Sequence, residues 1–337
     1  MITLSPALDR LQFHFPEVDK RARCEIGFQR TLRLPDDGST YPLPAGLGQF
    51  PLRHIDDYAD RLPDSFVKRG GVIMPMWQAE AMWLHFSGGG TSWPCAVKIA
   101  AGKINAVTGE AWRPKPRQQP QDYLVVPRQP WLDGFCVEKG VIRQFVAAPL
   151  GEGITAEEQL SGEAEHGGIQ IIVYPMTRTA YDRLFPPRPP SSYEYMPMAA
   201  ACARGMPKSM GLAAGGLMRQ EIYDDPYDFD VWEQSVSSRC FVTILNAAQW
   251  HALIGEAPPT QPTTAAEYKR HGIPWFDYYA TDRKALKGSS LLAGLKSFAH
   301  SALAMKTGPD APVVPTPVVD LGPNKRPVAA PVREAES

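Results

Sequence analysis

The chain has 337 residues, of which 44% are hydrophobic and 21% charged, and its 35 basic residues nearly balance its 36 acidic ones. This composition predicts a globular protein with a substantial core, arranged as one large domain or two moderate ones. The balanced charge argues against nucleic-acid binding, which depends on clustered Lys and Arg, and no apolar stretch reaches the length of about 18 residues that a membrane span needs.

The first predicted elements are strands and short helices. Apolar and polar residues alternate over residues 24–34, which is the period of a half-buried strand. A short helix over residues 63–69 and an apolar strand over residues 72–76 follow. Between residues 78 and 86 apolar side chains recur at the spacing i, i+3, i+4 and i+7, which predicts a helix.

Two hairpins and a buried strand are predicted next. A Gly occupies the turn between residues 96–100 and 103–108, and another lies between residues 135–138 and 141–147, where the turn needs a positive φ. Residues 169–174 are apolar except for one Gln, which is typical of a central strand.

Thr155 with Glu158, and Thr264 with Glu267, have the spacing of a capping box and predict the starts of two short helices. Apolar residues from Leu291 to Leu303 predict a last amphipathic helix that begins after Ser289 or Ser290.

Four prolines between Pro186 and Pro190 mark the predicted domain boundary, because stacked prolines join neither a helix interior nor a strand ladder. We predict a sheet-rich lobe over residues 1–185 and a mixed α/β lobe over residues 186–305, packed on the first. The Met-rich segment 196–218 is predicted to be either an adaptable loop for a partner or ligand, or a segment that fills the core. The expected fold class is therefore α+β, a sheet-rich core with hairpins and short helices.

Residues 306–337 predict a disordered tail. With seven prolines and no aromatic residue, this segment buries too little area to offset the entropy of ordering. Its Pro-Val steps favour extended conformations that a protein partner could bind in a groove or at a sheet edge. The alternative is a solvated tail without a partner.

The densest acidic stretch is the first candidate site. Asp224, Asp225, Asp228 and Asp230 are candidate ligands for a divalent metal, because hard cations prefer closely spaced carboxylates on loops. The stretch lacks the ligand pattern of an EF-hand, and the alternative is a solvated loop anchored by its aromatic residues.

A second candidate site is the short cluster of Glu163, Glu165 and His166, just before the strand at residues 169–174. A carboxylate beside an imidazole can serve as acid and base or bind a metal, although an ordinary polar loop has the same composition. Cys240 and His251 form a third candidate, a thiol and imidazole pair, with a core cysteine as the alternative.

Trp131 and Asp133 stand out among the aromatic segments. They lie between Pro130 and a predicted hairpin, where the Trp ring could cap a cleft while Asp133 closes the turn. Structural turn chemistry is the alternative interpretation.

Three segments carry a resemblance to known sequences. Residues 129–135, 141–153 and 164–168 resemble a family of uncharacterised bacterial proteins, and the similarity extends from about Arg21 to Leu303. The resemblance implies a bacterial, cytoplasmic origin and assigns no activity or site residue. Five widely spaced cysteines, never in C-x-x-C form, also fit reduced thiols in the cytoplasm.

Together these patterns predict an intracellular binding or self-assembling protein. Hairpins, a Met-rich segment and a Pro-Val tail all offer recognition surfaces, so we expect a homo-oligomer and a possible protein partner for the tail. The alternative is a metal-dependent hydrolase or transferase that uses the acidic stretch or the His166 cluster. No motif identifies a cofactor.

Overall fold

The computed structural model describes residues 1–5, 8–88, 93–186, 209–258, 261–280, 282–300, 315 and 318–321. Of this structure, 40% is strand and 17% is helical. The α+β class predicted from the sequence is therefore wrong: the protein is sheet-dominant, with a few short helices. Most of the predicted tail, and the proline cluster beyond Pro186, lie outside the described residues.

Strands account for most of the chain. In chain order they are β1 Ile2–Ser5, β2 Arg10–His14, β3 Arg23–Thr31, β4 Thr40–Tyr41, β5 Leu43–Pro44, β6 Gly46–Gln49, β7 Arg53–His54, β8 Val72–Met76, β9 Ala81–Ser87, β10 Cys95–Ala101, β11 Ile104–Asn105, β12 Leu124–Val126, β13 Trp131–Leu132, β14 Gly134–Glu138, β15 Val141–Pro149, β16 Ile169–Pro175, β17 Ser209–Arg219, β18 Ser238–Asn246, β19 Trp275–Asp277 and β20 Val318–Asp320.

The helices are short and lie between the strands. They are α1 Asp64–Arg69, α2 Ala156–Ser161, α3 Arg178–Leu184, α4 Ala247–Ile254, α5 Ala265–Arg270 and α6 Ser290–Ala293, with 3₁₀ turns at Asp56–Tyr58 and Phe229–Val231. No helix in the described ranges is long and apolar enough to cross a membrane.

Seventeen strands join one large sheet. Nine of its strands pair in an antiparallel series, in which each strand hydrogen-bonds to the next: β1, β2, β3, β9, β15, β17, β18, β16 and β10. β4 and β8 add parallel pairings to β17 and β18. Strands from both sides of the predicted boundary thus share this sheet, and the boundary falls at the start of a segment outside the described residues. A second sheet has three strands, in the order β20, β19 and β5.

The core lies between distant parts of the large sheet. Phe13 and Phe28 from β2 and β3 belong to the same cluster of buried side chains as Val97 from β10 and Ile171 from β16. The Cys24 and Cys95 thiols also interact across this core. Burial of the apolar faces of strands that are far apart in sequence therefore holds the two ends of the sheet together.

Two predicted elements are wrong in type, and both become strands. The segment predicted as a helix at residues 78–86 contains β9, which pairs with β3, β13 and β15. The apolar residues of this segment fit the strand period of 2 as well as the helical period of 3.6. Hydrogen bonding to neighbouring strands on both edges makes the segment a strand. In the Met-rich segment the loop alternative is wrong, because residues 209–219 form β17, the longest strand described. The buried side chains of Met210, Leu212 and Met218 fit the core-filling alternative.

Other local predictions are confirmed. Thr155 and Glu158 form the capping box of α2, and Thr264 and Glu267 form that of α5. The hairpin of β14 and β15 turns at Lys139-Gly140, where Gly140 has a φ of 78°. The last helix is interrupted where one continuous helix is predicted, because α6 ends at Ala293 and helical backbone resumes at residues 298–300.

A buried ion pair between Lys98 on β10 and Asp122 allows a test of the fold. Lys98 is fully buried, and its Nζ lies 2.5 Å from Asp122 Oδ2 and donates to the Lys115 carbonyl. We predict that Lys98→Met lowers the free energy of unfolding by about 3–5 kcal/mol, because it leaves a buried carboxylate without its cation. Urea denaturation measures the loss. The control is Lys139→Met in an exposed turn, where the expected change is below about 0.5 kcal/mol; equal effects of the two variants would contradict the prediction.

Candidate ligand-binding pocket

A small pocket lies where the two sheets meet. Its volume is 170 Å³. Of the described residues that line it, Asp133 has the one ionisable side chain, and the others are aromatic, aliphatic, Pro or Gly: Leu43, Pro44, Ala45, Gly46, Trp83, Trp131, Phe276 and Leu321. An apolar concave site with one polar group that fixes orientation is the usual form of a small-molecule site.

The strand register places Trp83, Trp131 and Asp133 on one face. Trp131 and Asp133 are two residues apart, so their side chains point to the same side of the extended chain. β13 pairs with β9 through Trp131 and His85, and continuing this antiparallel register sets Asp133 opposite Trp83. Two neighbouring strands therefore supply both indole rings and the carboxyl group.

The two indoles form adjacent walls of the pocket. The ring centroids of Trp83 and Trp131 are 6.4 Å apart, and the ring planes meet at 70°. Tyr278 packs behind Trp131 with its centroid 5.0 Å away, which fixes that ring. The buried Nε1 of Trp83 has no hydrogen-bond partner among the described residues, so the wall includes an unused donor.

The carboxyl group of Asp133 is held by Gln220. The Gln220 amide donates to Asp133 Oδ1, and its oxygen accepts the Asp133 backbone N–H at 3.0 Å. Asp133 is 3% exposed. Burial is the main cause that raises the pKa of this carboxyl to about 7, and the hydrogen bond from Gln220 opposes it.

Asp133 differs from the other buried acidic residues in that no Arg, Lys or His of the described ranges lies within ion-pair distance of it. Every other buried Asp or Glu of the described chain lies within ion-pair distance of an Arg, Lys or His: Asp19 with Arg21 and Arg178, Glu80 with Arg30, Asp122 with Lys98, and Glu157 with His166. No such partner of Asp133 is found in the described ranges, and no charged group contributes to its shifted pKa. The pocket thus contains a carboxyl group whose charge the described protein does not compensate.

The small sheet closes the pocket. Phe276 of β19 lines it, and Leu321, which follows β20, lines it from the C-terminal segment. The Leu321 N–H donates to the Asp277 carbonyl at 2.7 Å, which holds this residue in place. Gly46 packs against Trp83, and a Cβ there would lie 3.2 Å from Trp83 Cζ2, so a side chain at residue 46 would push the indole.

The structure places half of the acidic stretch in a second, larger cleft of 820 Å³, whose lining includes Asp224 and Asp225. Asp224 Oδ2 lies 2.7 Å from Lys284 Nζ, and Asp225 accepts hydrogen bonds from Tyr123 Oη and Trp232 Nε1. Burial raises the pKa of Asp225, and these donors lower it. Both carboxylates are therefore already engaged by protein groups.

Asp228 and Asp230 lie apart from this cleft. Both are exposed at the 3₁₀ turn Phe229–Val231. In the part of the chain that the structure describes, no three His, Cys, Asp or Glu side chains are grouped closely enough to hold a metal ion. A metal site in the acidic stretch stays a prediction.

The His166 cluster has a partner that sequence reasoning missed. His166 Nδ1 lies 3.2 Å from Glu157 Oε1 and 3.7 Å from Glu165 Oε2, while Glu163 is exposed. Glu157, buried on α2, also accepts the Gly167 N–H at 2.7 Å. These contacts fix the loop before β16, and the cluster lines neither pocket described above.

Cys240 and His251 are not brought together. Cys240 is buried near the start of β18, and burial raises the pKa of its thiol to about 12. His251 lies on α4, beyond the other end of that strand, and its Nδ1 is 2.8 Å from the Glu256 carbonyl oxygen. Six residues of strand, at about 3.3 Å each, separate Cys240 from the start of α4, a distance of about 20 Å.

Sequence reasoning singled out Trp131 and Asp133 but missed Trp83, Phe276 and Gln220. The apolar spacing predicts a helix at Trp83, and no local pattern joins Gln220 to Asp133.

Comparison of the chain with protein-family models, with curated proteins and with solved structures finds no match. The geometry of the site therefore carries the functional argument, and the resemblance to a bacterial family stays a prediction.

The raised pKa of Asp133 predicts how stability depends on pH. Because the folded chain holds this proton up to about pH 7 and the unfolded chain releases it near 3.8, the stabilisation by the protonated form is lost as pH rises through that window. Asp133→Asn keeps the acceptor for Gln220 and does not ionise. We expect the free energy of unfolding of this variant to rise relative to wild type between pH 4.5 and pH 8, by at most about 4 kcal/mol, at about 1.4 kcal/mol for each pKa unit.

Urea denaturation at several pH values measures this difference. Asp57→Asn, in the exposed turn Asp56–Tyr58, is the matched control. Its free energy of unfolding should change with pH in the same way as that of wild type. If the Asp133→Asn curve is also parallel to wild type, Asp133 titrates normally and the description of the pocket is wrong.

Proposed function

We propose that this protein binds a small organic ligand in the pocket between Trp83, Trp131 and Phe276. The observation that carries the proposal is the uncompensated carboxyl of Asp133 on an otherwise apolar wall. Burying such a group costs the folded chain stability unless something pairs with it. Local features that reduce stability without a structural benefit are expected at functional sites, so we infer that a ligand supplies the missing interaction.

The size and stiffness of the pocket support this proposal. A cavity of about 150 Å³ holds one benzene-sized molecule, and this pocket measures 170 Å³. The indoles and Phe276 stand on paired strands, not on long loops, and Tyr278 supports one of the rings. A site on rigid elements needs little reordering when a ligand enters, which favours binding.

Self-association also belongs to the proposal. β20 is the edge strand of the small sheet, and its side chains Val318 and Val319 are exposed. An exposed apolar edge strand can pair with a second copy of the chain, which supports the expected homo-oligomer. A protein partner of the tail would compete with β19, because residues Val318–Asp320 already pair with that strand.

A cytoplasmic location is the last part of the proposal. The four cysteines in the described ranges, Cys24, Cys95, Cys136 and Cys240, are free and buried. Free thiols are expected in a reducing compartment, so this observation supports the cytoplasm.

A test of ligand binding compares two Trp variants. We expect aromatic and alkylammonium fragments of benzene size to bind the wild-type protein and to bind Trp131→Ala at least tenfold more weakly, because that change removes one wall of the pocket. Ligand-observed NMR with titration measures the affinities. Trp77→Ala is the matched control, since Trp77 is a half-buried indole outside the pocket. Fragments that bind all three proteins equally, or none of them, would overturn the proposal.

A further inference from the structure

We infer that the ligand is a small organic cation, of the alkylammonium class, whose charged nitrogen lies between Asp133 and the indoles of Trp83 and Trp131. This inference rests on the proposed function and specifies its ligand. Three observations carry it: the sign of the one charge that lines the pocket, the arrangement of the rings, and the scarcity of hydrogen-bond acceptors.

The charge of the lining selects the sign of the ligand. Among the described residues, Asp133 is the one acidic side chain that lines the pocket, and none of the described basic side chains lines it. A bound cation gives Asp133 the kind of partner that Asp19, Glu80 and Asp122 already have. Because Asp133 is 3% exposed, this attraction is stronger than it would be on the surface. An anionic ligand would meet repulsion and no compensating group.

The rings provide a second attraction for a positive charge. The face of a Trp ring carries negative potential and is the best aromatic partner for a cation. Here the two indoles of the pocket meet edge to face, with ring planes at 70° and centroids 6.4 Å apart, so the pair offers an indole face to a charge beside it. Phe276 and Leu43 add apolar contact for carbon atoms attached to the nitrogen.

The scarcity of acceptors distinguishes among cations. A primary ammonium carries three N–H donors and loses strong hydration on burial unless each donor finds an acceptor. Asp133 supplies the one acceptor carboxylate of the lining, and Gln220 already occupies its Oδ1. An alkylated nitrogen has fewer N–H groups to satisfy and covers its charge with methyl groups. The pocket therefore favours tertiary and quaternary ammonium groups over a primary amine.

The ionisable groups on the elements around the pocket do not change this argument. In the described ranges they are His85 on β9, Arg143 on β15, Arg219 at the end of β17, Asp277 on β19, Tyr278 after it, and Asp320 on β20, which is exposed and opposite Asp277. Arg143 is paired with Asp36, and Arg219 with Asp277. Burial lowers the pKa of His85, so its ring is neutral above pH 7 and does not repel a cation.

The decisive experiment compares two probes of the same shape. Choline carries a trimethylammonium group, and 3,3-dimethylbutan-1-ol replaces its nitrogen with carbon and is neutral. Isothermal titration calorimetry of the full-length protein at pH 8 should show at least tenfold tighter binding of choline. At pH 5.5, where Asp133 is protonated, the choline affinity should fall at least tenfold while the affinity for the alcohol stays constant. In Asp133→Asn the two probes should bind alike at both pH values.

The possible outcomes separate this inference from the proposed function. Equal binding of the two probes to the wild-type protein would overturn the cation inference and leave a pocket that binds neutral ligands. Binding of choline that survives in Asp133→Asn would also overturn it, because the carboxyl group would then have no part in recognition. If neither probe binds at millimolar concentration, the inference fails, and the fragment titration with Trp131→Ala then decides whether the pocket binds any ligand.

Discussion

The pocket depends on the pair of hydrogen bonds between Asp133 and Gln220. Gln220 follows β17, and Asp133 lies between β13 and β14, so this contact joins parts of the chain that are 87 residues apart. β15 pairs with both β14 and β17, which sets the distance between the two residues. Gly134 lets the strands approach, because a Cβ at that residue would lie 1.9 Å from the Arg143 carbonyl oxygen. Without this contact the carboxyl group would have neither its orientation nor its burial.

The partners of the other buried charges show what is unusual about Asp133. Lys98 and Asp122 neutralise each other inside the fold, and so do Arg30 and Glu80, whose Nε and Oε1 atoms are 2.8 Å apart. Such pairs recover the desolvation cost of each ion through the other. Asp133 receives a neutral amide instead, which positions it but supplies no charge. A cationic ligand would explain both the burial of Asp133 without a paired cation and the aromatic walls beside it.

Local sequence patterns predicted local structure well. The capping boxes of α2 and α5 and the hairpin of β14 and β15 involve residues at most a few positions apart. The helix prediction at β9 is wrong because its side chains fit the periods of both a helix and a strand. Pairing with β3 and β15, fifty or more residues away along the chain, makes it a strand. For the same reason Trp131 and Asp133 were visible as a pair, while Trp83 and Gln220 were not. His166 likewise pairs with Glu157 on the preceding helix, where spacing alone pointed to the nearer Glu163 and Glu165.

The central claim is that Asp133 holds an uncompensated carboxyl group poised to receive a cation, and its titration tests this most directly. The ¹³Cγ chemical shift of Asp133, assigned by comparison with Asp133→Asn, reports its ionisation in the intact protein across the pH range. The account predicts a midpoint near pH 7 for the free protein, and a midpoint at least one unit lower with saturating choline, because a bound cation favours the carboxylate. A midpoint near pH 4 that choline leaves unchanged would contradict the account.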